Sequence, residues 1–202
     1  MAQPPSPAEP APGGPRAASE PPGRVVLDDP AIRRALVRIA HELVERNEDV
    51  GSLYLVAIPN GGVPLARQLA ANLREISGRE LPVGILDTTL YRDDLTRRGE
   101  RPPLRHTEMP SAVDEKIVVL VDDVASTGRT IRAAMDALMD FGRPRAVQVV
   151  ALIDRGHREL PIRVDYVGKN IPTAPAEKIV LRGRQGTLEP PLEVRVEGRG
   201  ES

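Results

Sequence analysis

Two periods of apolar residues alternate along this chain. Leu53-Tyr54-Leu55-Val56-Ala57-Ile58 is a continuous aliphatic run, and 117–121 is another. Runs this short and unbroken predict strands buried on both faces. Each leads through a tight turn into a helical period. After Pro59-Asn60-Gly61-Gly62, the positions Leu65, Leu69 and Leu73 predict a helix over 63–76. After residue 130, Ile131, Ala134, Met135, Leu138 and Met139 predict another, reaching Phe141, with Gly142-Arg143-Pro144 as its stop signal. Residues 81–86 and 147–153 read as further strands. Upstream, Val25-Val26-Leu27 predicts an edge strand, and Asp28 or Asp29 caps a helix with Pro30 near its first turn. Ile32, Leu36, Ile39 and Leu43 form that helix's buried stripe. Near the end, 178–181 and 192–196 read as a short hairpin across 183–191. Repeated strand–turn–helix units predict an α/β fold, a mainly parallel twisted sheet flanked by helices.

Two stretches follow neither period. Residues 1–24 hold eight prolines and only four charges, a composition that cannot offset its ordering entropy, and predict a disordered tail. That leaves 25–200 as a single domain. Residues 91–115 are charged and broken by Gly99, Pro102, Pro103 and Pro110. A connection of this length inside a compact domain predicts a mobile lid over the strand ends.

Composition narrows the class. With 202 residues, 40% apolar and 28% charged, the chain can bury one sizeable core. A net charge of −1 gives no global signal for nucleic acid, so any basic surface is local. The absence of cysteine excludes disulfides and thiolate zinc sites. No apolar run approaches the roughly 20 residues of a membrane span. The expectation is a soluble cytoplasmic protein with no membrane partner.

The chemistry concentrates in one thirteen-residue string, Val118-Val119-Leu120-Val121-Asp122-Asp123-Val124-Ala125-Ser126-Thr127-Gly128-Arg129-Thr130. A buried strand ends in two carboxylates, a small hydroxyl-rich turn follows, and a helix begins. In open α/β sheets ligands bind at the carboxyl ends of strands. The turn at 126–130 can aim backbone N–H groups and hydroxyls at one anion at the positive end of that helix. The carboxylates suit either a polyol or a hydrated divalent cation. A phosphate seat beside a diol seat describes a phosphosugar. Neither GxxxxGK[ST] nor GxGxxG is present, which leaves nucleotide hydrolases and dinucleotide enzymes unsupported. The three histidines, His41, His106 and His157, lack metal-ligand spacing, and no GxSxG elbow exists.

The string resembles the phosphoribosyl-pyrophosphate (PRPP) signature of type I phosphoribosyltransferases: an apolar run, paired acids, then a TG-type phosphate loop. Between about Ile32 and Thr173 the likeness narrows to the PyrR family of bacterial pyrimidine-operon attenuators, which are also uracil phosphoribosyltransferases. It rests on Leu90-Tyr91-Arg92-Asp93-Asp94-Leu95, Met135-Asp136-Ala137-Leu138, Asp154-Arg155-Gly156-His157-Arg158-Glu159-Leu160-Pro161-Ile162-Arg163 and Gly168-Lys169-Asn170-Ile171-Pro172. The resemblance implies a sheet with a small hood and a lid. It also implies transfer of ribose 5-phosphate from PRPP to uracil, with Mg²⁺ arriving on PRPP and held by no metal ligand of the protein. Asp122 and Asp123 would hold the ribose hydroxyls, and 126–130 would cradle the 5′-phosphate. Arg92 and Arg155 would be cationic helpers, and Asn60, Gly61 and Gly62 the pyrophosphate turn. The family binds messenger RNA of the pyrimidine operon and senses UMP and UTP; the matching RNA-face positions are Arg38, His41, Arg155, Arg158, Arg163 and Lys169. Assembly as a homodimer or homotetramer is implied as well.

Two departures set alternatives. The family commonly reads Lys-Thr-Arg-Gly where this chain reads Pro59-Asn60-Gly61-Gly62, so the turn lacks its cation. One hydrogen bond to a charged group is worth roughly 1.5–3 kcal/mol. A nucleotide-sensing RNA-binding regulator with weak or absent catalysis is therefore a second reading, and a phosphoribosyltransferase for another base a third. On the first diagnosis, Asn60→Thr with Gly61→Arg would raise turnover. Ala125-Ser126 also replaces a bulkier pair in the phosphate loop, and Val37 stands where a threonine is common.

Overall fold

The computed structural model describes residues 23–92 and 106–198; the proline-rich head and most of the predicted lid lie outside the described residues. In chain order the elements are β1 (Arg24–Leu27), α1 (Asp29–Arg46), β2 (Leu53–Ala57), α2 (Gly62–Ser77), β3 (Val83–Ile85), β4 (Ile117–Ala125), α3 (Arg129–Leu138), β5 (Ala146–Asp154), β6 (Tyr166–Asn170), β7 (Lys178–Arg182) and β8 (Glu193–Glu197). Strands β3-β2-β4-β5-β6 form a parallel sheet, and β1-β8-β7 a smaller antiparallel one.

Side chains alternate across the pleat, and both faces of the parallel sheet are covered. Leu53, Leu55, Ala57, Val119, Val121, Val150 and Leu152 pack with the apolar stripes of α1 and α2. Tyr54, Val56, Ile58, Val118 and Leu120 pack on the other side, with Ala134, Ala137 and Leu138 of α3. That is why the strands read as unbroken apolar runs. α1 starts where the Asp28 carboxylate accepts the Ala31 N–H at 2.9 Å, with Pro30 in the first turn. α2 stops at Gly78, whose φ of 68° is the left-handed conformation of a helix C-terminus. A polar knot ties the end of α1 to the sheet. The Gln148 amide donates to the Asn47 side chain at 2.9 Å, and the Tyr166 hydroxyl donates to Gln148 at 3.0 Å.

Several elements differ from the sequence expectation. β4 runs on to Ala125, so Asp122 and Asp123 lie within the strand instead of after it. β5, paired with it at Asp122, Val124 and Ala125 as far as Asp154, supplies the ladder that keeps this polar stretch extended. β3 covers Val83–Ile85 only. β6 was not predicted; its Gly168, Lys169 and Asn170 carry no strand signal, and it forms at the sheet edge by pairing with β5. The hairpin of β7 and β8 is present, widened by β1 into a three-stranded sheet. The C-terminal part of the expected lid is no lid. Glu108 and Ile85 exchange backbone hydrogen bonds of 2.7 and 2.8 Å, and Val113 is fully buried in the second core cluster.

Register places the site. Ala125 pairs with Asp154 and Asp154 with Asn170, so β4, β5 and β6 finish at one level. Ala57, the last residue of β2, pairs with Val121. Residues 122–125 therefore project past β2, beside the turn that leads into α2.

Candidate active site

Asp122 is only 6% exposed, and Asp123 is half-buried. The Asp122 carboxylate accepts the N–H of Asp123 at 2.9 Å, and the Asp123 carboxylate accepts that of Val124 at 3.0 Å. Burial above all, and then the neighbouring Asp123 charge, raises the pKa of Asp122 well above the usual carboxylate value; the charge of Arg92 acts the other way. Arg92 follows a 3₁₀ turn, Thr89–Tyr91, which is held against α3. The Tyr91 hydroxyl is hydrogen-bonded to Asp140, and Arg132 donates to the Tyr91 carbonyl at 3.2 Å. Arg132 was not singled out in the sequence, since a helical arginine with an acid four residues on reads as a surface pair.

Beyond the acids the chain turns at 126–128, and Gly128, with φ of 90°, opens α3. Asp122, Val124, Ala125, Ser126, Thr127, Gly128, Thr130 and Ile131 line one small recess. The first-turn N–H groups of α3 have no acceptor within their own helix. Together with the hydroxyls of Ser126, Thr127 and Thr130, they make a seat for an anion, with the carboxylate pair at its edge. The outer side of this loop is braced by the segment after β5. Thr127 O accepts the N–H groups of Glu159 and Leu160 at 3.0 and 3.1 Å, and Arg129 pairs with Glu159 at 2.7 Å.

Pro59-Asn60-Gly61-Gly62 stands beside the projecting part of β4, with a cis peptide between Pro59 and Asn60. A Cβ on Gly61 would overlap the Asp123 side chain, and one on Gly62 would overlap the Val121 carbonyl. The Asp123 carboxylate thus occupies the space that a side chain at residue 61 would need. This removes the ground for expecting Gly61→Arg to raise turnover: the arginine stem would first have to displace an acid of the site.

The six cations proposed for an RNA face separate. Arg38 donates to the carbonyls of Val167 and Gly168, both at 2.8 Å, and pairs with Glu42 at 2.5 Å. Lys169 reaches the Val26 carbonyl at 3.4 Å. His41, one turn along α1 from Arg38, is exposed. Of these, Arg38 and Lys169 meet at the β6 edge. Arg163 is exposed and borders a surface groove with Asp165 and Val167. Arg155 donates to the Ala174 carbonyl at 3.3 Å. Arg158 points inward, to Asp154 at 2.6 Å, the Ser126 carbonyl at 2.5 Å and the Ile162 carbonyl at 3.0 Å. The sequence signal for that inward role, an Asp154/Arg158 pair four residues apart, is visible only once the chain between them is known to turn back.

No helix among the described residues is long and apolar enough to cross a membrane. The family model of the phosphoribosyl transferase domain matches residues 25–181. A protein of Pelotomaculum thermopropionicum named bifunctional protein PyrR is 60% identical over 157 residues, covering 78% of this chain and 87% of its own. Its namesake in Geobacter sulfurreducens is 56% identical over 159 residues, covering 79% and 90%. Among solved structures, a Trypanosoma cruzi hypoxanthine phosphoribosyl transferase superposes with a TM-score of 0.67 at 19% identity, covering 91% of this chain and 94% of that one. At that identity the likeness establishes the fold, here the type I phosphoribosyltransferase architecture. Taken with the acid pair and the anion seat at the strand ends, these matches show that the chain belongs to the phosphoribosyl transferase domain family and, within it, to the PyrR proteins.

Proposed function

We propose that this protein is a uracil phosphoribosyltransferase that also acts as a nucleotide-sensing, RNA-binding attenuator of pyrimidine genes. The observation that carries the enzymatic half is the recess of β4 and α3. It sets a buried acid, Asp122, with the half-buried Asp123 next to it in the strand, beside an anion seat, and acid and seat match the diol and the phosphate of a ribose 5-phosphate. Asp122 and Asp123 accept hydrogen bonds from the ribose 2′- and 3′-hydroxyls, and residues 126–130 bind the 5′-phosphate. With the sugar fixed at both ends, C1 is free to part from pyrophosphate oxygen and bond to uracil N1, whose proton is released. Charge develops on the ring as the bond to pyrophosphate breaks, and the carboxylates face it. Orientation supplies the rest of the acceleration, with no covalent intermediate on the protein.

Among the described residues no three His, Asp or Glu side chains converge. Two acids at the edge of an anion seat fit an ion that keeps its waters and arrives on a diphosphate, as Mg²⁺ does. Bound in that way it would supply charge neutralisation of the leaving group, and Asp122 and Asp123 would hold its waters.

The test is UMP formation from uracil, PRPP and Mg²⁺, beside an Asp122→Asn/Asp123→Asn control. Turnover that the control abolishes is the expected result. A second reading, a UMP sensor with little catalysis, is favoured by one specific observation: the Asp123 carboxylate lies against Gly61, so the turn expected to seat pyrophosphate presents an acid instead of a cation. UMP binding without turnover would select it.

The RNA half draws on His41, Arg163 and Lys169, with Arg38 at the β6 edge. Its expected form is UMP-dependent binding of a pyrimidine-operon hairpin that weakens steeply with salt. Assembly into a homodimer or homotetramer belongs to the same proposal. Met139 and Phe141, just after α3, and Leu90, in the 3₁₀ turn Thr89–Tyr91, are large exposed apolar side chains available to a second copy.

A further inference from the structure

We infer that Arg158 is a positioning residue of the phosphate seat, and that the segment it anchors, 158–162, is that seat's outer wall. The inference rests on the reading of 126–130 as a 5′-phosphate site and adds what holds that site in shape.

Three acceptors take up the Arg158 guanidinium. Nη1 donates to the Ser126 carbonyl at 2.5 Å, Nη2 to the Asp154 carboxylate at 2.6 Å and Nε to the Ile162 carbonyl at 3.0 Å. Its side chain is 24% exposed and that of Asp154 is 19% exposed, so water screens the pair little. One planar group thereby fixes the last residue of β5, the first residue of the phosphate loop and the far end of its own segment.

The same segment grips the loop at three further points. Thr127 O accepts two N–H groups, from Glu159 and Leu160. Arg129, the first residue of α3, pairs with Glu159. A Cβ on Gly128 would meet the side chains of Ile162 and Leu160 at 3.4 and 3.5 Å, so the wall stands in contact distance of the glycine that turns the chain.

The carbonyls of Ser126 and Thr127 are thus bonded outward. In a tight turn successive peptide planes are coupled, and carbonyls held on one side leave the N–H groups on the other, where an anion would sit. Ser126 and Thr127 are the residues whose carbonyls the wall holds. Each of the three nitrogens of Arg158 already donates to the protein's own acceptors, so it acts through the loop, and the chemistry it serves is recognition of a phosphomonoester.

Lysine keeps the charge but has a single point of attachment and can satisfy only part of this set. Arg158→Lys and Arg158→Gln are therefore expected to raise KM for PRPP about tenfold to a hundredfold, the factor that a charged hydrogen bond's loss produces. KM for uracil should stay near wild type. Calorimetry with ribose 5-phosphate should show the same loss of affinity without turnover. A merely structural role would instead weaken both substrates alike or leave both unchanged.

If Arg158→Gln fails to fold, Arg158→Lys and Asp154→Asn carry the test, the latter with a smaller effect because the backbone contacts remain. Unchanged ribose 5-phosphate affinity in the lysine protein would overturn the inference. A wild-type protein that binds no ribose 5-phosphate would overturn the enzyme reading itself, and this inference with it.

Discussion

Asp123 and Gly61 share one space, and the consequence differs from that expected of a missing cation. Since any side chain at residue 61 must push the Asp123 carboxylate aside, Gly61→Ala should lower kcat/KM by about tenfold or more, and Gly61→Arg should not raise it. Steady-state kinetics on the two variants decide between the geometric account and the electrostatic one. The buried acid beside it makes a second prediction. The folded-state pKa of Asp122 lies above its unfolded value, near 3.8. Stability is then greatest below the unfolded value and is lost as pH rises through the folded one. Asp122→Asn keeps an oxygen for the Asp123 N–H and removes that penalty. At pH 7 it should melt above wild type, by roughly 2–4 °C for each kcal/mol relieved. The two melting curves should converge as pH falls toward 3.8. Ribose 5-phosphate binding should fall in the same variant, so that the side chain that weakens the fold is the one the ligand uses.

At the scale of elements, the strands and helices that were legible are those whose periodicity is set by covering both sheet faces. The strand runs at 53–58 and 117–121, the stripe on α1 and the helix after Gly62 all follow from that burial. What was not legible depends on partners distant in sequence. β6 contains glycine, lysine and asparagine, and it is a strand because β5 pairs with it. The acids at 122 and 123 read as the end of a strand, and they continue it because β5 runs alongside. Arg38 is an RNA-face position by resemblance, yet two of its hydrogen bonds reach across 129 and 130 residues to hold the edge strand. Arg38→Ala should therefore cost about 1 kcal/mol of stability, discounted for the exposure of the side chain, as well as RNA affinity. A urea titration checks the first loss. His41→Ala, which touches no such carbonyl, should weaken RNA alone, and filter binding on the two variants separates the effects. The acid pair and phosphate loop were legible because their chemistry is local to one string. The Arg158 brace was not, since it depends on 154–162 folding back on that string.

For the whole molecule, the small antiparallel sheet belongs to the main core. Leu181, Leu192 and Val194 are buried in the same cluster as Leu27 and the α1 stripe. Each such side chain is worth roughly 1.5–3 kcal/mol. Ending the chain at residue 177 removes all three and leaves β1 without its partner β8. The loss is comparable with the about 5–15 kcal/mol that holds an ordinary domain folded. That shortened protein should lose its cooperative melting transition, which differential scanning calorimetry would register directly. The pairing of Arg24 with Val196 reaches further. Entry to and exit from the domain are neighbours across a single pair of strands, so the path of the backbone is nearly a closed ring. Such a domain can be spliced whole into a surface loop of a host protein, which has to spread its two attachment points by little more than the spacing of two strands. Reporters joined directly at residues 23 and 198 would emerge side by side.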